Sequence, residues 1–171
     1  MTGATIGQTN DSRPRSTAQG ETTMTSVSRT FTVTAAPEPA LRYLADFSHA
    51  ETWDPGTVRC TRVDEGPVRV GSRWHNESRI AGISTELTYT LEEWTADRVV
   101  LVGHNDTATS TETIVVTPDP RGSELTYTNE VEMRGMAKLA SPAVKVVFEK
   151  IGVDLERQLT EALDALPGDD A

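Results

Sequence analysis

The chain has 171 residues, enough for one domain with its own core and no need of metal or disulfide staples. A formal net charge of −10 without any basic cluster excludes nucleic acid and anionic membrane surfaces as partners, because phosphate binding requires concentrated positive charge. The single cysteine, Cys60, excludes an internal disulfide and points to a reducing compartment, the cytoplasm.

Residues 1–25 are rich in Thr, Ser, Gly, Gln and Asn and hold no apolar run that could act as a signal peptide or membrane span. They are expected to form a disordered leader, with Met24 as an alternative start, ahead of one domain over residues 26–167 and a disordered tail at 168–171. Ser26 to Ala35 alternates, Val27, Phe31 and Val33 against Ser28, Thr30 and Thr32, and predicts a first strand. Pro37 and Pro39 end it and open a short helix over Ala40 to Phe47, with a further turn at His49 to Trp53 closed by Asp54-Pro55-Gly56. Strands are then predicted at Thr57–Asp64, Ser72–Ile80, Ile83–Trp94, Arg98–Gly103, Thr107–Thr117 and Ser123–Met133. The links between them are too short for crossovers, so the meander is antiparallel. Thr85, Leu87, Tyr89 and Leu91 share one face, as do Leu125, Tyr127, Asn129, Val131 and Met133, while Glu and Thr fill the alternate positions; one face is therefore covered and the other wet.

The last predicted element is a helix over Ser141 to Leu166. Val144, Phe148, Ile151, Leu155, Leu159, Leu163 and Leu166 recur at steps of three or four and make one apolar stripe. Ser141 suits the N-cap and Pro142 the first helical position. At about 1.5 Å per residue the helix is roughly 37 Å long, enough to cross seven strands spaced about 4.8 Å apart.

This ordered set resembles the START-like, helix-grip (SRPBCC) superfamily: a strand, two small helices around Trp53-Asp54-Pro55, a strand opening Val70-Gly71-Ser72-Arg73-Trp74, a meander and one long C-terminal helix. Within it the chain is most similar to the polyketide cyclase/dehydrase branch, whose members are often bacterial. The resemblance implies an α+β helix-grip fold, a curved seven-stranded antiparallel sheet wrapped around the long helix with an apolar cavity between them.

No P-loop, dinucleotide fingerprint, zinc spacing or nucleophile elbow is present, and His49, His75 and His104 are widely separated, so no cofactor and no metal site is expected. Polar residues on the covered face carry more information, because a buried amide or phenol must find a partner. Asn76 and Ser78 share a face with Trp74, and Tyr89, Tyr127 and Asn129 lie among Leu and Val. Each one alone reads as a bonded core residue; together, in a fold expected to be hollow, they read as cavity wall. The expected wall is Trp74, Asn76, Ser78, Leu87, Tyr89, Tyr127 and Asn129 from the sheet, with Val144, Phe148, Ile151 and Leu155 from the helix.

His75 and Arg79 alternate outward, Arg29 falls in phase with Val27, Phe31 and Val33 and is open to two readings, a pocket base or, preferred, an exposed edge residue, and Cys60 reads as a small hydrophobe. Met133, Met136 and Leu139 are open to two readings, a flap at the cavity mouth or, preferred, ordinary core packing. Most strand carboxylates alternate onto the wet face and no acid–base pair stands out, so catalytic residues are not assigned. The expected function is binding of a hydrophobic small molecule of lipid, polyketide or isoprenoid type. A cyclase or aromatase is the alternative that the resemblance supplies, and a stress-response or partner-binding protein with an incidental cavity is the third.

Overall fold

The computed structural model describes residues 22–134 and 142–167, with side chains at all of these except 22–23, 142–145 and 148. In chain order the elements are β1 (Thr22–Val33), α1 (Pro37–Ala45), a 3-10 turn (Phe47–His49), α2 (Ala50–Trp53), β2 (Thr57–Arg62), β3 (Arg73–Ile80), β4 (Ile83–Trp94), β5 (Arg98–His104), β6 (Ala108–Asp119), β7 (Gly122–Arg134) and α3 (Pro142–Asp164). The seven strands form one antiparallel sheet in the order β1-β7-β6-β5-β4-β3-β2, so the first strand lies beside the last and α1 and α2 carry the chain to the opposite edge. A sheet of this order with a C-terminal helix on one face is the helix-grip arrangement.

Two boundaries correct the sequence reading. The first strand begins at Thr22, inside the stretch expected to be leader, and Thr22 to Thr25 pair with Arg134 to Val131. Polar composition suggested disorder there, but Thr is β-branched and suits an extended backbone whose partner strand reaches as far. The first helix starts at Pro37 rather than Ala40, since a proline at the first helical position already has the required φ and lacks only an N–H that would have no partner. The expected N-cap Ser141, and Met136 and Leu139, lie outside the described residues.

Turn chemistry sets the register. Ala81 and Gly82 both have positive φ, 51° and 82°, the mirror-image two-residue turn whose twist matches the strands it joins. At the next-to-last corner Gly122 has φ 144°, and a Cβ there would strike the Thr34 carbonyl just beyond β1. Register shifts between Thr57 and Arg59 and between Leu91 and Glu93 mark bulges, which bend β2 and β4 and help curl the sheet.

The core is solid at one end of the sheet. Leu44, Phe47, Trp53, Trp74, Leu91, Leu101, Ile114, Leu125, Leu159 and Leu163 are completely buried where α1, α2 and the last turns of α3 cover the inner face. α3 is pinned in its second turn, at Glu149, and at its last residue, Asp164. Asp164 accepts from Thr34 N and Oγ1 at 2.7 and 2.9 Å, and Glu149 holds Arg29 of β1 at 2.7 Å. Arg29 therefore corrects the expectation of an exposed edge residue: β1 is an edge strand, but the inward phase of this residue carries it to the helix. Between these anchors Gly152 brings the helix backbone against β1, where a Cβ would lie 2.9 Å from Val27 Cγ2.

Candidate functional site

Beyond the packed end, the sheet and α3 part around a cavity of about 220 Å³. Its walls are largely apolar, with Val27, Leu87, Val131, Ile151 and Leu155 among them. Ile80, Ile83 and Met133 also line it, and Ile83 is 72% exposed, so the cavity reaches solvent beside the β3–β4 hairpin.

One polar cluster stands in this wall. On β6, Ile114 and Val116 point inward, and the two-residue period carries the same face back through Glu112, Ser110 and Ala108. Glu112 is only 5% exposed. Its Oε1 accepts from Asn129 Nδ2 at 2.7 Å and from Tyr89 Oη at 3.2 Å, with Ser110 Oγ at 3.4 Å, while Tyr127 Oη donates to Oε2. Asn129 also donates to Ser110 Oγ at 2.8 Å. β7 supplies Tyr127 and Asn129 because it is the direct neighbour of β6, and Asn129 stands opposite Glu112 in the ladder. Tyr89 comes from β4, one strand further away, and reaches Glu112 across β5.

Burial pushes the Glu112 carboxyl up to about 8, with the charge of Asp54 acting in the same direction; the hydrogen bonds from Tyr127, Tyr89 and Ser110 oppose the shift and do not cancel it. Burial, reinforced by the negative charge of Glu112, also holds both phenols well above their ordinary value. At neutral pH the cluster thus keeps its protons, and the carboxyl can donate as well as accept. Asp54 lines the same cavity from the turn after α2, its Oδ1 accepting from Gly56 N at 3.0 Å and its Oδ2 from Thr57 Oγ1 at 2.6 Å. Its carboxyl is likewise raised by burial.

Of the residues named from sequence, Ser78, Leu87, Tyr89, Tyr127, Asn129, Ile151 and Leu155 come together around this cavity. Trp74 and Asn76 do not line it. Trp74 is completely buried in the packed end, where Nε1 donates to Ser48 Oγ at 3.0 Å and Asp46 Oδ1 at 3.2 Å. Asn76 donates to Thr57 Oγ1 at 2.9 Å and accepts from Ser78 Oγ at 2.5 Å, so its amide is satisfied within the protein. The side chains of Val144 and Phe148 lie outside the described residues. Sequence reasoning missed Glu112 and Asp54. The signal for Glu112 was the alternation of Ile114 and Val116, extended backward through a run of Thr and Ser; the signal for Asp54 was absent, since a turn has no face period. Among the described residues no group of three His, Cys, Asp or Glu side chains could hold a metal ion, and no helix is long and apolar enough to cross a membrane.

Residues 24–166 match the model of the family described as polyketide cyclase / dehydrase and lipid transport. The chain belongs to this family. Among curated proteins none matches its sequence. Solved structures similar to this member of the cyclase/lipid-transport family include a START superfamily protein from Mycobacterium smegmatis, 16% identical over 83% of this chain and 99% of that one, with a TM-score of 0.66. The Zhui aromatase/cyclase from Streptomyces sp. R1128 is 18% identical over 82% of this chain and 94% of its own, with a TM-score of 0.64. A protein from Thermus thermophilus is 16% identical over 82% and 97% of the two chains, with a TM-score of 0.61. At these identities the likeness is one of fold.

Proposed function

We propose that this family member binds an apolar small molecule, of lipid, polyketide or isoprenoid size, in the cavity between α3 and the sheet. The observation that carries the reading is the cavity itself: apolar walls around one converging set of polar groups, the arrangement that holds a hydrophobic ligand in one orientation. Its 220 Å³ exceeds the roughly 150 Å³ of an engineered cavity that binds benzene. A ligand portion of one or two rings, or a short chain, fits that space.

Glu112 favours a second reading, a cyclase or aromatase. A buried carboxyl that titrates near neutrality beside two phenols can move a proton to or from a ligand oxygen. Family membership supports either reading, since the family description names both cyclases and lipid transport.

The test is direct binding of a neutral apolar probe, naphthylmethanol, followed by its fluorescence. Micromolar affinity that disappears in Ala108→Phe, a substitution that fills the cavity, supports the binding site. Absence of binding by the wild-type protein and by a panel of similar neutral compounds overturns it. Consumption of a poly-carbonyl substrate, lost in Glu112→Gln, would move the assignment to the enzyme.

A further inference from the structure

We propose that the cavity is selective for hydrophobic amines, with the ligand ammonium seated against Glu112 and within the field of Asp54. This rests on the reading of the cavity as a ligand site and names the class of ligand.

The charge balance of the cavity carries the argument. Both ionisable carboxylic acids in its wall, Glu112 and Asp54, are of one sign, and neither forms an ion pair with any described residue. Arg29 stands beside Tyr127 in the β1–β7 ladder, but its guanidinium is already engaged by Glu149 on α3. A buried carboxyl without a cation stays protonated, as Glu112 does in the empty cavity, and it ionises readily only when a cation is brought against it, because an unmatched charge in a low-dielectric site is strongly disfavoured. Glu112 is almost completely buried, and among the described residues only neutral donors surround it: two phenols, an amide and a hydroxyl.

That shell is built for an acceptor. Tyr89, Tyr127, Asn129 and Ser110 all approach the carboxyl oxygens as donors, the set that suits an ionised carboxylate. Burial and the second carboxylate oppose ionisation in the empty cavity, and a cation entering from the apolar end would remove that opposition. Asp54 belongs to the same balance: each of its oxygens accepts one hydrogen bond and retains free lone pairs toward a cation. Two carboxylates do not make a metal cage, and the apolar remainder of the wall requires that the cation carry a hydrophobic body. A fatty-acid carboxylate would find no cation in the described wall and would lie in the field of Asp54.

The experiment compares three compounds of one shape on the full chain at neutral pH: naphthylmethylamine, naphthylmethanol and naphthoate. The amine is expected to bind at least about tenfold more tightly than the alcohol, the gain of a charge-assisted hydrogen bond in a desolvated site, and naphthoate more weakly than either. Glu112→Gln should bring the amine down to the level of the alcohol, and Asp54→Asn should remove part of the preference. If the alcohol binds and the amine binds no better, the amine inference is overturned while the cavity remains a ligand site. If none of the three binds, the reading on which it rests falls with it. Should Glu112→Gln fail to fold, the order of the three compounds on the wild-type protein still decides.

Discussion

Tyr89 lies flat across Gly103. The two residues are directly opposed in the β4–β5 ladder, and a Cβ on Gly103 would stand 2.6 Å from Cε2 and Cζ of the tyrosine ring. The missing side chain on β5 is what allows a phenol from β4 to reach a carboxyl on β6. Gly103→Ala should therefore lift the ring, break the Tyr89–Glu112 hydrogen bond and lower stability by about 1–3 kcal/mol. In a Tyr89→Leu background the same substitution should have a smaller effect, and a double-mutant cycle by urea unfolding measures the difference. Equal effects in both backgrounds would show that Gly103 matters for some other reason.

The second prediction concerns pH. Glu112 has its folded value raised from 4.5 to about 8, so between these limits the native state holds a proton that the unfolded chain has released. Its stabilising contribution is complete below about pH 4.5 and declines as pH rises toward 8, with a slope of up to about 1.4 kcal/mol for each pH unit crossed. Asp54, also raised, acts in the same sense. Asp64, lowered by its hydrogen bonds from Arg62 and Arg73, titrates below this window and does not offset the slope. Urea unfolding between about pH 5.5 and 8.5 should show stability falling with pH, and Glu112→Gln should flatten most of that fall. A flat wild-type profile would show that the carboxyl is solvated.

On α3, Leu155 and Leu159 are both buried, but only Leu155 faces the cavity. Leu159→Ala should lower stability by about 2–5 kcal/mol, because it opens a void in the packed end. Leu155→Ala should lower it less, since part of that side chain already borders empty space, and it should admit larger apolar probes. Denaturation curves combined with competition binding separate the two, and the reverse order of effects would contradict the position of the hollow.

Cys60 is 4% exposed on β2, and burial pushes its thiol up to about 12. Thiol reagents that require the thiolate should therefore modify it slowly in the folded protein and at once in urea. Its native-state rate should follow the opening of the β2 edge. Immediate reaction of the folded protein would show that this edge is not closed.

Local periodicity is legible without coordinates, and it accounts for what the sequence determined alone. Alternation in β4 and β7 and the three-and-four spacing of α3 identified the inner face, the covering stripe and the order of elements. It also brought Tyr89, Tyr127 and Asn129 to one surface. Which of those inward polar groups meet each other and which meet empty space depends on register and on volume left unfilled, and neither has a local pattern. Asn76 and Trp74 have the same inward phase as Ser78, yet Thr57, Ser48 and Asp46 satisfy them from segments whose approach only the folded chain defines. Glu112 shares the inward phase of Ile114 and Val116 but sits within a run of Thr and Ser, where a charged residue reads as solvated. Only four neighbouring strands, a glycine at the crossing point and the absence of a cation in the described wall turn it into the centre of a site.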